Sequence, residues 1–415
     1  MPRNRSPLAD SLPDGRETVA QAPGSVLFLT PRWARDGGVG AHVIESAEAL
    51  AHAGLEVQVL TGEIEDEQRT GITLQENPRL FDSGAPIAQR IGDTLAARPE
   101  VVHVHQVDRP ELVRAIRALA PVVISAHGYT ACTSGVYYFK PGQECTRGHG
   151  PGCIPNLIAR GCAHTSYPKT LPRKYLNVTR DLAALRGADF AISYSTAVDR
   201  HLAANGIANR RIVPYFPTMK PARGSGHETR RRAVFAGRIV RPKGVGVFIR
   251  AARDVDGEFV ICGDGRQLDQ MRALAERLGV TDRVHFKGWL SAPELAAELA
   301  NASVVAMPSL WPEPFGLVGI EALAAGRPCV ASATGGIVDW LEHGVSGLCV
   351  PPGDVKALAD ALNELLPDPD RQREMGLAGQ RAVARNFSAE RHVEILLSAY
   401  RDARSIWEAA APSSR

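Results

Sequence analysis

A chain of 415 residues, 44% hydrophobic, with 39 glycines and 29 prolines, is too long for one ordinary core and fits two loop-rich α/β domains. The formal net charge of +3 is close to balance and gives no sign of a nucleic-acid partner. No apolar run reaches the ~18 residues of a membrane span, and the first residues lack the apolar core of a signal peptide, so the sequence reads as cytoplasmic.

Residues 1–24 carry almost no large apolar side chains and read as a disordered tail. Ser25-Val26-Leu27-Phe28-Leu29-Thr30 reads as a first strand. A loop with Gly37-Gly38-Val39-Gly40 follows, then a helix with Val43, Ile44, Leu50 and Ala51 on one face, then a strand at Val57–Leu60. The glycine turn is not a GxGxxG fingerprint; Gly38 and Gly40 serve either a plain tight turn or the close approach of backbone to a ligand. Val101–His105 and Pro121–His127 read as central strands ending in histidine. At that end His127 is either structural or faces a cleft, where a neutral imidazole donates to a sugar hydroxyl or a backbone carbonyl. His105 reads as structural or acceptor-side.

An insertion at 129–172 has neither helical nor strand periodicity and holds Cys132, Cys145, Cys153 and Cys162, with His149 and His164. The spacings are long and lack CxxC. A structural zinc site and four unligated thiols stand level, with a disulfide or an iron–sulfur cluster behind. Cys262, Cys329 and Cys349 read as small core residues. Asp189–Ser193 closes a first domain at 25–213, and a polar, basic linker spans 214–232. Between Arg160 and Arg250 basic residues outnumber acidic ones, Arg230-Arg231-Arg232 among them. This is a solvated basic surface, or else an attraction to an anionic acceptor or to phospholipid, which would be a peripheral membrane contact.

A second domain, 233–387, restarts at Ala233–Ala236, followed by Arg238 and Lys243 across a short loop. Arg238 offers phosphate a planar fork and Lys243 a point charge. Phe259–Cys262 leads to Gly263 and Gly265, and Arg283–Lys287 to Gly288 and Trp289. Asp254-Val255-Asp256 lies at the beginning of a strand, the wrong sheet edge for a ligand, and reads as a turn. Ser303–Met307 reads as a buried strand, and prolines 308, 312 and 314 bar helix until Leu317. Glu313 then sits at the strand's carboxyl end and Glu321 a little over a turn into a helix. The amides near Phe315, Gly316 and Leu317 favour phosphate, while the two carboxylates favour hydroxyl groups. A sugar nucleotide supplies both. The final stretch, 388–415, reads as an amphipathic helix.

Glu313-Pro314-Phe315-Gly316-Leu317-Val318-Gly319-Ile320-Glu321 resembles the paired-glutamate motif of the retaining GT-B glycosyltransferases, the GT4 family in particular, and Gly237-Arg238 with Lys243-Gly244 resembles that family's phosphate-binding motif. The resemblance implies a GT-B fold, with two Rossmann-like domains facing a central cleft and the terminal helix returning to the first domain. It implies a nucleotide diphospho-sugar as donor and a hydroxyl acceptor. It gives Glu313 a catalytic role and Glu321 the ribose hydroxyls. It also sets His127 against the sugar, Gly38 and Gly40 against donor phosphate and acceptor, and Gly263, Gly265, Gly288 and Trp289 around the base. Leaving-group charge is met by Arg238, Lys243 and the helix amides, so no cofactor is expected for catalysis; zinc, if present, is structural. The hinge departs from the family's Asn-Gly-Val-Asp-like turn, so no hinge contact carries over. The competing readings are a nucleotide-sugar epimerase or glycoside phosphorylase of the same architecture, or a non-catalytic sugar-binding protein.

Overall fold

The computed structural model describes residues 23–67, 70–82, 84, 86, 90–91, 98–105, 109–130, 132, 145–159, 171–222 and 231–410. The tail to residue 22, most of the cysteine-bearing insertion with Cys162 and His164, and linker residues 223–230 lie outside them.

The chain forms two units. The N-terminal unit comprises the described residues up to Tyr215 other than Cys145, together with the chain from Ala389 onward; Phe216–Ser388 is the C-terminal unit. The first contains β1 (Ser25–Thr30), α1 (Gly38–His52), β2 (Glu56–Thr61), β3 (Ile72–Glu76), β4 (Val101–His105), α2 (Pro110–Arg117), β5 (Val122–Ala126), α3 (Cys153–Ala159), α4 (Leu171–Gly187), β6 (Phe190–Ser193), α5 (Thr196–Ala204) and β7 (Arg210–Ile212). The strands are parallel and ordered β3-β2-β1-β4-β5-β6-β7. β4 and β5 are buried at every position, as strands covered on both faces must be. Two strands depart from the sequence reading: β3 goes unread there, and β7 extends the sheet beyond Phe190–Ser193, where that reading placed the last strand.

The C-terminal unit contains β8 (Arg232–Ala236), α6 (Val245–Ala251), β9 (Glu258–Cys262), α7 (Leu268–Leu278), β10 (Val284–Gly288), α8 (Ala292–Ala300), β11 (Val304–Met307), α9 (Leu317–Ala324), β12 (Cys329–Ser332), β13 (Gly347–Val350), α10 (Val355–Leu365) and α11 (Pro369–Asn386). Its parallel sheet runs β10-β9-β8-β11-β12-β13. Phe235, Phe248, Phe259, Ile261, Val304 and Leu362 fill one core. The last helix, α12 (Ala389–Ala410), packs its face of Val393, Leu396, Tyr400 and Ala403 within the N-terminal unit. Among the described residues no helix is long and apolar enough to cross a membrane.

Both sheets reverse direction once. Strands proceed outward from β8 through β9 to β10, and on the other side from β11 through β12 to β13. The loops leaving β8 and β11 therefore diverge and leave a crevice at the carboxyl edge, the place where open α/β sheets bind ligands. In the N-terminal unit the reversal lies between β1 and β4.

Candidate active site

The β8–β11 reversal holds the cations and carboxylates together. After β8 the chain runs past exposed Arg238 into a single 3-10 turn, Arg241–Lys243, and Gly244 closes the turn at φ 72°. Only glycine fits there, because a Cβ would lie 1.8 Å from the carbonyl oxygen of Pro308. The contact presses the loop after β8 onto the loop after β11, and the Leu310 amide donates to the Pro242 carbonyl at 2.8 Å.

Glu313 lies between them, 2% exposed. Its Oε2 accepts from Lys243 Nζ at 2.9 Å, and its Oε1 from Ser309 Oγ at 2.6 Å and Trp311 Nε1 at 3.0 Å. A carboxylate has about four acceptor directions. With these three donors in place, about one remains. The backbone is pinned as well, since the Gly336 amide donates to the Glu313 carbonyl at 2.7 Å. Gly335, at φ 59°, passes so close that a Cβ would lie 2.2 Å from that oxygen.

Gly316, at φ 94°, turns the chain into α9. The first amides of a helix have no acceptor inside it, so those around Gly316 and Leu317 open toward the crevice side of the strand. The Phe315 side chain is core, 1% exposed and packed against Phe387 at 5.8 Å, so that residue contributes backbone alone. Its carbonyl accepts from Trp340 Nε1 at 2.7 Å. Glu321, in the second turn of α9, accepts from Thr218 Oγ1 at 3.0 Å. Burial raises its carboxyl to about 7, with the Thr218 hydrogen bonds pulling the other way.

Gly263 and Gly265 follow β9, Gly288 ends β10, and Trp289 beyond it is 61% exposed. All stand at the same edge as Glu313, with Trp289 three strands from β11, about 14 Å at the usual strand spacing. Ser309, Trp311, Trp340 and Thr218 carried no assignment in the sequence. Ser309 and Trp311 could have been read from a buried carboxylate's need for donors, but Thr218 is brought to Glu321 across 103 positions and has no local signal.

Gly38, Gly40 and His127 belong to the N-terminal unit. Gly38 is the first residue of α1, and Gly40 lies beneath the Ala34 carbonyl. His127, past the end of β5, has both ring nitrogens engaged: Nδ1 with Tyr215 Oη at 2.8 Å and Nε2 with His105 Nδ1 at 3.0 Å. A sugar hydroxyl would have to take the place of one of them. Burial holds this imidazole neutral, down to about 3. Cys132 and Cys153 are half-buried and Cys145 is exposed, and among the described residues no three His, Cys, Asp or Glu side chains are grouped to hold a metal ion; Cys162 lies outside them.

Two parallel α/β units, the second carrying paired carboxylates at its strand reversal, form a GT-B fold. The chain belongs to the GT4-type glycosyltransferases: residues 36–214 match the family model described as Glycosyltransferase Family 4, and residues 221–382 that described as Glycosyl transferases group 1. A D-inositol 3-phosphate glycosyltransferase of Salinispora tropica is 41% identical over 183 residues, 41% of this chain and 38% of that protein. The chain thus spans about two fifths of the length of the first curated relatives it matches. D-inositol 3-phosphate glycosyltransferase 1 of Catenulispora acidiphila is 29% identical over 88% of this chain and 91% of its own length. Among solved structures, Anabaena HepE in complex with UDP and glucose superposes with a TM-score of 0.64 at 19% identity, covering 90% of this chain and 98% of that one.

Proposed function

We propose that the protein transfers a glycosyl unit from a nucleotide diphospho-sugar to an acceptor hydroxyl, with retention of anomeric configuration. The observation that carries this reading is the pairing of half-buried Lys243 with buried Glu313 at the strand reversal, beside the amides that open α9. Cleavage of the sugar–phosphate bond places positive charge on the anomeric centre and negative charge on the diphosphate. Arg238, Lys243 and the α9 amides meet the negative charge without requiring a divalent cation. Glu313, still able to accept about one more hydrogen bond, takes a donor-sugar hydroxyl and sets its carboxylate near the positive centre. Lys243 is shared between that carboxylate and the departing phosphate, so its charge holds the two ends of the breaking bond in register.

Glu321 accepts from the ribose hydroxyls, with Trp289, Gly263, Gly265 and Gly288 bordering the base. The separation of these groups along one sheet edge suits an extended nucleoside diphosphate sugar. Glu313 and Glu321 do not serve as a glycosidase pair, which must flank one bond about 5 Å apart; Glu321 points to Thr218 from inside a helix. For the acceptor proton, same-face displacement with uptake by the departing phosphate fits an imidazole already committed at both nitrogens.

A thermal-shift panel of UDP, GDP and dTDP sugars, with and without EDTA, tests the reading. A ligand at a hundred times its Kd adds about 2.7 kcal/mol of stability. One nucleotide should stabilise the wild type, EDTA should leave that shift in place, and Lys243→Ala should reduce it. No stabilisation by any nucleotide sugar would overturn the proposal.

A further inference from the structure

The N-terminal unit buries a set of imidazoles that the transfer chemistry does not use. His392 stands in the first turn of α12, just after the chain re-enters this unit at Ala389. Its Nδ1 lies 2.8 Å from the carbonyl oxygen of Pro214, next to the point where the chain leaves the unit after Tyr215. Its Nε2 lies 3.1 Å from Ser46 Oγ, and Ser46 Oγ lies 3.1 Å from His42 Nε2. His42 and Ser46 are buried on α1, the helix whose first turn is Gly38-Val39-Gly40.

One carbonyl fixes the direction of every bond in this chain. The Pro214 oxygen can only accept, so His392 Nδ1 carries the proton. Burial keeps that ring neutral, which makes its Nε2 an acceptor for the Ser46 hydroxyl. The single Ser46 hydrogen is then spent, so Ser46 Oγ accepts from His42 Nε2–H. Tyr215 is held in the same place: its ring centroid is 4.3 Å from that of His42, nearly perpendicular, and its hydroxyl meets His127 Nδ1 at 2.8 Å. The departing segment is therefore gripped by α12, by α1 and by the end of β5. Apolar side chains could fill the same volume without any bond to satisfy. A fully directional polar chain adds a unique register.

We infer that His392 is a positioning residue, an imidazole bridge that locks the segment leaving the N-terminal unit, at Pro214 and Tyr215, to α1, whose first turn carries Gly38 and Gly40. The lock stands on geometry alone. Its effect on turnover rests on the proposed function together with the resemblance, which sets Gly38 and Gly40 against donor phosphate and acceptor.

Hydrogen exchange on the full chain at pH 7.5 separates the two halves of the bridge. His392→Asn places an amide where Nδ1 stood, keeping the Pro214 bond and dropping Ser46. His392→Gln reaches the place of Nε2, keeping Ser46 and dropping Pro214. Ser46→Ala cuts the bridge without touching His392. In His392→Asn and Ser46→Ala the amides of residues 41–46 should exchange about tenfold faster while that of Val213, bonded to the Ser193 carbonyl, stays protected; His392→Gln should give the reverse pattern. With the nucleotide sugar chosen by the thermal-shift panel, Ser46→Ala should lower kcat about tenfold with little change in donor KM, because all the proposed donor contacts except those of Gly38 and Gly40 lie in the C-terminal unit. Identical exchange in the Asn and Gln variants, or wild-type exchange in Ser46→Ala, would show that the ring only fills space. Unchanged kcat beside the expected exchange pattern would remove the positioning role and leave the lock. Absence of turnover in the wild type would count against the proposed function, and the exchange arms would still decide the lock.

Discussion

Acid should pull the stabilities of the two units apart. In the N-terminal unit His42, His103, His105 and His392 are buried and His127 half-buried, and desolvation depresses each of them, His127 to about 3 and His392 to about 4. Their partners are serines, tyrosines, a carbonyl and one another: His103, for example, bonds Tyr400 Oη and Ser125 Oγ, both at 2.7 Å. A histidine with a depressed folded pKa contributes no penalty above its unfolded value near 6.5. As pH falls through 6.5 the unfolded chain takes up the proton and the folded chain does not, so stability falls. Between pH 7.5 and 5.5 each of these residues costs about 1.4 kcal/mol, or about 7 kcal/mol for the group, comparable with the whole stability of an ordinary domain. Glu321 acts in the opposite sense on the C-terminal unit. Its folded pKa is raised to about 7, so folding takes up a proton as pH falls through 7, and over the same interval that unit gains about 2 kcal/mol. Urea unfolding followed by hydrogen exchange with peptide resolution reads the units separately. At pH 7.5 their midpoints should lie much closer together than at pH 5.5, where the N-terminal unit should unfold at far lower urea. A midpoint for that unit that moves by no more than one histidine's worth between the two pH values would refute the buried, neutral cluster.

Three other perturbations test the site. Lys243→Met leaves Glu313 charged, buried and short of its cation, and should cost about 3 kcal/mol in urea unfolding. Adding Glu313→Gln should recover most of that, and a double variant as unstable as the single would refute the pairing. Gly244→Ala forces a Cβ to 1.8 Å from the Pro308 oxygen at φ 72°, so a loss of about 3 kcal/mol or more, with loss of nucleotide-sugar binding, is expected; wild-type stability would contradict the pressed loops. Ribose hydroxyls favour the ionised form of Glu321, so affinity for a nucleotide diphospho-sugar should rise about tenfold from pH 6 to pH 8. Calorimetry should show proton release on binding, Glu321→Gln should flatten the profile, and a flat wild-type profile would remove the ribose role.

The fold was legible wherever strands are buried on both faces. β1, β4, β9 and β11 announce themselves as apolar runs, and the turn glycines and prolines mark their ends. The strands that escaped are edges. β3 shows mostly half-exposed and exposed positions, and β7 is three half-buried residues, Arg210-Arg211-Ile212, with nothing apolar until its last position. An edge strand need cover only one side, so its composition resembles a loop. In the site, Lys243, Glu313, Gly316 and Glu321 could be singled out because a short loop and one helix turn carry them. The histidine network could not be assembled, since His103 meets Tyr400 across 297 positions and His392 meets Ser46 across 346. Two local signs were present: His103 and His105 alternate onto one face of a buried strand, and His42 and Ser46 are a helical turn apart. Each is a fragment of the network, and neither names its partner.

The two glutamates show why equal residues in one motif end with different chemistry. Glu313 lies in the loop, where proline-enforced turns let Ser309, Trp311 and Lys243 converge on its oxygens. Its charge is compensated before any ligand arrives. Glu321 is fixed by helical geometry to face Thr218, with a single side-chain donor and no cation among the described residues, and burial raises its carboxyl accordingly. A polar ligand changes little at the first position beyond occupying the remaining acceptor direction. At the second, a pair of hydroxyl donors replaces missing solvation and stabilises the charged form. Proton release on binding should therefore originate at Glu321, and it should persist in Glu313→Gln.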